Sequence, residues 1–267
     1  MEKEMTNNER PLILVSNDDG YRAQGLNELI GFLRPIADIV VLAPDIPRSG
    51  SGCSITSSLP IKMTKDHQEP GVTRWICSGT PTDCIKLALQ VLAGQGRRPD
   101  MIVSGINHGD NSSVNAHYSG TMGAAIEGAL KGIPSIAFSL CDHSPNADFM
   151  PLKPYIAAIT TKVLKMGLPA GTCLNVNFPK ATEFKGIKIC RQTRGDWQDE
   201  FEAVERKNGE RHFWMTGEYR NDEPESTDTD HWALDNGYVA ITPTTIDLTA
   251  YNLVKMMQGW QFDDIEA

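Results

Sequence analysis

The stretch PLILVSNDDG, Pro11 to Gly20, decides how the rest of the chain is read. Apolar and near-apolar residues run from Leu12 to Ser16 with no polar alternation, the pattern of a strand covered on both faces of a parallel sheet. That run ends in Asn17, Asp18, Asp19 and Gly20. Two adjacent carboxylates at the end of a buried strand have two readings. One is the capping of a following helix. The other is a hard divalent cation, which prefers oxygen ligands. A doubled acid carries a like-charge repulsion that one cap does not require and that a cation removes.

Outward from this strand, helical and extended patterns alternate. GLNELIGFLR places Leu26, Leu29, Ile30 and Leu33 on one helical face. DIVVLAP is a second buried strand, stopped at Pro44. LPIKMTKDH and VTRWICS alternate more openly and read as a hairpin. TPTDCIKLALQVLAG is a helix with a Thr-Pro start and Gly94 at its end. DMIVSG, PSIAFSL and TCLNVNFP read as strands, with SGTMGAAIEGALKG and LKPYIAAITTKVLKMG as helices between them. Strands alternating with helices predict an α/β fold: a Rossmann-like, mostly parallel sheet sandwiched by helices. This core is expected over residues 11–180, after a disordered lead-in over 1–10. Residues 181–267 carry the strand-like pieces GIKICRQT, RHFWMTGE and GYVAITPTT around the charged stretch Asp196–Glu225. They are expected to form a β-rich C-terminal appendage of hairpins and a terminal helix, used in oligomerisation.

Composition narrows the partners. With 267 residues and a 40% hydrophobic content, the chain can bury a sizeable core in one large domain. A formal net charge of −9 argues against polymeric nucleic acid as a stable partner, because phosphate contacts need a basic stripe. A small anionic substrate in a local site is compatible with it. The six cysteines form no C-x-x-C pair and mostly sit in apolar runs, which predicts reduced thiols in a cytoplasmic protein. MEKEMTNNER lacks the apolar stretch of a signal peptide, and no run reaches membrane-spanning length.

In open α/β sheets ligands bind beyond the carboxyl ends of the strands. Strand one ends in Asn17-Asp18-Asp19-Gly20, strand two leads into PRSGSG, and a later strand ends in SGINHGDN. A dinucleotide fold would need G-x-G-x-x-G after strand one, and a P-loop would need a lysine that GYRAQGLN lacks. Ser49 and Gly50 lie in a flexible loop that offers a hydroxyl oxygen and backbone N–H groups. Asn107 follows a buried strand between Gly105 and Gly109, where backbone can approach closely. Ser119, Gly120 and Thr121 open a helix and suit an anion, with plain capping as the alternative.

SNDDG, APDxxRSG, GTPTDC, SGINxGxN and YSGT, in this order and spacing, resemble the SurE family of stationary-phase survival proteins. TDTDHWALDNGYVAITP is similar to that family's C-terminal signature. The resemblance spans Pro11 to about Leu248. It implies a metal-dependent phosphomonoesterase acting on nucleoside 5′- and 3′-monophosphates. It implies one divalent cation per subunit (Mn, Mg, Co or Ni), held by Asp18, Asp19, Ser49 and Asn107. It also implies a homodimer or homotetramer, with C-terminal elements exchanged between subunits.

The implied chemistry is hydrolysis by metal-activated water. Asp18, Asp19, Asn17 and Asn107 are the expected catalytic residues. Ser49, Gly50, Gly105, Asn107, Ser119, Gly120 and Thr121 are expected to contact phosphate. His108 and His117 lie near the site and could protonate the leaving oxygen, although a surface or core-satisfied role is the simpler account of each. Two other readings stay open. A receiver-like magnesium-binding phosphoacceptor would want a lone aspartate and a later lysine at strand ends that here carry Asn107 and Leu140. A metal-dependent deacetylase would want histidines flanking the acidic pair.

Overall fold

The computed structural model describes residues 10–205 and 210–260. Its centre is a nine-stranded sheet in the order β3-β4-β2-β1-β5-β6-β7-β13-β8. The first half comprises β1 (Leu12–Ser16), β2 (Asp38–Pro44), β3 (Met63–Glu69), β4 (Val72–Cys77), β5 (Met101–His108), β6 (Ser135–Leu140) and β7 (Thr172–Phe178). Adjacent pairs among β4, β2, β1, β5, β6 and β7 are parallel, and β3 turns back antiparallel on β4 as the expected hairpin.

Helices cover both faces, which is why β1 and β2 show no polar alternation. Ile13, Val15, Ile39 and Val41 point to the layer that holds α1 (Gln24–Leu33) and α5 (Lys153–Met166). Leu12, Leu14, Val40 and Leu42 point the other way, onto α2 (Pro81–Gly94). α4 (Gly120–Leu130) lies beside α2 on that face, after the single turn α3 (Asn115–Tyr118). The start of α2 is a reciprocal cap: Asp83 N–H donates to Thr80 Oγ1, and Thr80 N–H donates to Asp83 Oδ2, with Pro81 just inside.

The chain moves from β1 outward to β2 and β4, then crosses back to β5 on the other side of β1. That reversal opens a crevice beyond the carboxyl ends of β1 and β5.

The chain after residue 180 departs from the expected division. β13 (Val239–Thr245) returns to pair antiparallel with β7, and β8 (Ile187–Ile189) pairs parallel with β13. Val239, Ala240 and Ile241 are buried in the main sheet. Two strands of the expected appendage are therefore sheet strands, because β7 presents an edge that must be covered. What stands apart is a ribbon in two parts. β9 (Gly195–Gln198) pairs with β12 (Glu218–Asn221), and β10 (Phe201–Glu205) with β11 (Arg211–Met215). The short helices α6 (Asp230–Asp235) and α7 (Tyr251–Met257) complete the fold.

Residues 1–9 of the expected lead-in lie outside the described residues. Arg10 is held in place: its guanidinium donates to Asp38 Oδ1 at 3.1 Å and to the carbonyl of Ala37 at 2.9 Å.

Candidate active site

Asp18 leaves the end of β1 and is only 4% exposed. Its Oδ1 accepts a hydrogen bond from the Thr121 hydroxyl in the first turn of α4. Burial pushes the Asp18 carboxyl up from the usual 3.8 to about 6; the neighbouring Asp19 adds to the rise, and the Thr121 bond opposes it. Asp19 is more open, and its Oδ2 accepts the backbone N–H of His108 at 3.1 Å. The His108 imidazole lies alongside, with Nδ1 3.7 Å from the same oxygen and its ring edge-on to Phe149. The acidic pair thus spans the crevice: Asp18 faces α4, and Asp19 faces the end of β5.

Asn107 arrives through an irregularity in the β5–β6 ladder, whose register shifts between Ser104 and Asn107. Its Nδ2 donates to the carbonyl of Gly109 at 2.9 Å, which fixes the orientation of the amide. The third loop folds over Asp18: Arg48 N–H donates to the Asp18 carbonyl at 2.6 Å, and Gly52 N–H to the Tyr118 carbonyl at 2.9 Å. Ser49 and Gly50 form the exposed turn of this loop.

Gly120 is the point where the three segments meet. A Cβ there would lie 2.5 Å from Ser51 Oγ and 2.7 Å from Asp18 Cβ, so only glycine fits. The structure thus brings Asp18, Asp19, Asn107, the 48–52 loop and the start of α4 to one crevice.

Several expected site residues have other work. Gly105 lies inside the sheet, where a Cβ would be 2.3 Å from the Phe138 carbonyl, a close approach that requires glycine. Asn17 is fully buried, and its Nδ2 holds the Gly20 carbonyl at 3.0 Å to close the turn. The Ser119 hydroxyl caps α4 by accepting from Met122 N–H at 3.0 Å. The Thr121 hydroxyl is committed to Asp18. His117 faces Gln192 across 3.4 Å.

The sequence reading missed a second layer. Asp230 is fully buried and accepts from Ser113 N–H, from Thr193 N–H and hydroxyl, and from His231 N–H. It lies in the TDTD stretch, so a signal was present, but its partner Ser113 is 117 residues away. Nearby, Arg191 grips Glu223 through two bonds of 2.6 and 2.9 Å.

Does the crevice fit a cation? A carboxylate as buried as Asp18, with one side-chain donor, is poorly compensated. Asn17 Oδ1 and Ser51 Oγ are buried nearby without hydrogen-bond partners. Among the described residues no three His, Cys, Asp or Glu side chains converge, so a cation here would draw on neutral oxygens as well as the acidic pair. The donor set is hard oxygen throughout and fits a divalent ion of that preference.

The family model for Survival protein SurE matches residues 13–199. This chain belongs to the SurE family. The SurE match contains Asp18, Asp19, Ser49, Asn107 and Ser119–Thr121, and it stops short of Asp230. The chain is 56% identical over 254 residues to the 5′-nucleotidase SurE of Bacteroides fragilis, covering 95% of this chain and 99% of that one. It is 42% identical over 246 residues to the 5′-nucleotidase SurE of Porphyromonas gingivalis, covering 92% and 94%. Among solved structures, the SurE protein from Aquifex aeolicus superposes with a TM-score of 0.80 at 38% identity, covering 93% of this chain and 98% of that one.

Proposed function

We propose that this SurE-family chain is a divalent-metal-dependent phosphomonoesterase that hydrolyses nucleoside 5′- and 3′-monophosphates to nucleoside and phosphate. The observation that carries the reading is the buried Asp18 beside Asp19, converging with Asn107 at the topological switch point. The names of the relatives support the nucleotidase half of it.

Asp18, Asp19, Ser49 and Asn107 would hold the cation, which supplies a Lewis acid for a phosphoryl oxygen and an activated water. Asp18 and Asp19 together balance a divalent charge. Ser49 and Asn107 add oxygen without charge, so an incoming phosphate meets no net negative site. The Ser49–Gly50 turn and the Gly120 N–H at the start of α4 suit the charge of a phosphoryl group. Aspartates engaged with a cation are poorly placed to attack, which favours water as the attacking group.

Nucleoside monophosphate is the proposed substrate, and Mn, Mg, Co and Ni all suit an all-oxygen site. The exposed Phe201, Phe213, Trp214 and Met215 on β10–β11, and Tyr251, Leu253 and Val254 on α7, support a homodimer or homotetramer. All six cysteines are free, which supports a reducing, cytoplasmic setting. No helix among the described residues is long and apolar enough to cross a membrane.

The test is a panel of 5′- and 3′-monophosphates against the four metals, with excess chelator as control. Phosphate release that persists in chelator would remove the metal from the mechanism. No release under any metal would remove the nucleotidase reading. Light scattering at micromolar concentration should give a dimer or larger; an active monomer would rule out the oligomer.

A further inference from the structure

Ser113 lies in the loop that joins Asn107 to the start of α4, and it is the most constrained residue of that loop. It is fully buried and adopts a φ of +50° without being glycine. A conformation of this kind persists only where the surroundings over-determine it. All its polar groups are taken by residues distant in sequence. Its N–H donates to Asp230 Oδ2 at 2.9 Å, and its carbonyl accepts from Gln192 Nε2 at 2.9 Å. Its hydroxyl donates to the Thr193 carbonyl at 2.9 Å, so the Tyr219 hydroxyl, 2.5 Å away, is the donor to Ser113 Oγ.

Tyr219 sits at the root of the C-terminal ribbon, on β12. Its ring stacks on His231 at 4.4 Å and meets Trp197 edge-on across the ribbon. Trp197 Nε1 in turn donates to Asn115 Oδ1 at 2.8 Å, in the first residue of α3. The ribbon root therefore holds the loop at Ser113 and at Asn115, just ahead of Ser119-Gly120-Thr121. On the other side Asn111 is tied to the sheet through Asn177, Ser139 and Asn175.

We infer that Tyr219 is a positioning residue: through Ser113 it sets where the start of α4 stands relative to Asp18 and Asn107, and so governs the affinity of the site for phosphate. The inference rests on the proposed phosphate site at the α4 entrance. Its ligand chemistry is the phosphate dianion, free or as the ester group of a nucleotide. Asp18, Asp19 and Asn107 approach from β1 and β5, and the clamp reaches them only indirectly, through the Thr121–Asp18 bond, so metal affinity should change less than phosphate affinity.

The test uses the full chain with Tyr219→Phe, Ser113→Ala and the double variant. It measures KM and kcat for a nucleoside monophosphate, inorganic phosphate binding to the manganese-loaded protein by calorimetry, and manganese affinity. Removing one neutral hydrogen bond should weaken phosphate binding and raise KM about fivefold in Tyr219→Phe, with kcat within twofold of the parent and manganese affinity changed less than phosphate affinity. In the Ser113→Ala background, Tyr219→Phe should add nothing, because the bond is already gone. Should Tyr219→Phe fail to fold, Ser113→Ala reads the same bond from its other end. Phosphate affinity within twofold of the parent would overturn the inference, as would a parallel fall in manganese affinity. A parent that binds phosphate but releases none from nucleotides would defeat the proposed function and leave this clamp measurable by calorimetry.

Discussion

The Thr121 hydroxyl donates to Asp18 Oδ1 across 103 residues of sequence, joining the first turn of α4 to the end of β1. This bond orients the most buried carboxylate of the site and fixes which of its oxygens faces the crevice. Thr121→Val keeps the shape and removes the donor. A hydrogen bond to an ionised group contributes about 1.5–3 kcal/mol, and loss of such an outer partner weakens metal binding about 10- to 100-fold. Calorimetric titration with manganese at pH 7.5 should show a loss in that range, with activity restored at higher metal concentration. Unchanged manganese affinity would mean that the bond serves folding alone.

Asp18 is a stability liability in the absence of metal. Its carboxyl titrates at about 6 in the folded protein against 3.8 ordinarily. The folded state therefore holds its proton more tightly than the unfolded chain does. The Asp18 contribution is neutral below about pH 4, becomes unfavourable as pH rises toward 6, and above that is a constant cost of about 3 kcal/mol. Asp18→Asn removes the charge. In chelator at pH 8 this variant should melt about 4–6 °C above the parent, with the gap closing near pH 4. It should be inactive at every pH. A variant less stable than the parent at pH 8 would show that the carboxylate is compensated in solution.

Asn107→Asp separates charge from geometry. A carboxylate at this position adds a negative charge about 5 Å from the phosphoryl group, worth roughly 3 kcal/mol of repulsion at an effective dielectric near 20. Felt in the transition state, this lowers kcat/KM by about two decades. The new charge attracts the cation, so manganese affinity should hold or rise. The substitution also removes the donor to the Gly109 carbonyl. If metal affinity falls together with activity, that lost bond, and with it the geometry of the loop, is what Asn107 supplies.

The Arg191–Glu223 pair gives a pH dependence of opposite sign. The Arg191 guanidinium, with help from Arg194 N–H, holds the Glu223 carboxyl at about 2 against 4.5 ordinarily. The folded state binds this proton less tightly than the unfolded chain. Its contribution is complete above about pH 4.5 and disappears as pH falls through about 2. Glu223→Gln should lower the melting temperature at pH 7, and the difference from the parent should shrink progressively below pH 4. A difference that stays constant down to pH 2.5 would assign the effect to packing.

The alternation of apolar strands and amphipathic helices up to Phe178 was legible along the chain because each element is local: Leu12–Ser16 needs no distant partner to declare itself buried on both faces. The acidic pair was legible for the same reason, since two carboxylates ending an apolar run pose an electrostatic question wherever the strand lies. Motif spacing likewise named Asn107 and the start of α4. Tertiary structure alone decided that Val239–Thr245 belongs to the main sheet, because only the exposed edge of β7 calls for it. It alone placed the Thr121 hydroxyl onto Asp18. It also revealed Asp230, Ser113 and Tyr219 as one cluster, joining positions up to 117 residues apart. Burial and capping are properties of a few consecutive residues and can be read along a chain; hydrogen bonds between loops depend on how the sheet stacks its strands, and exist only once the chain has closed on itself.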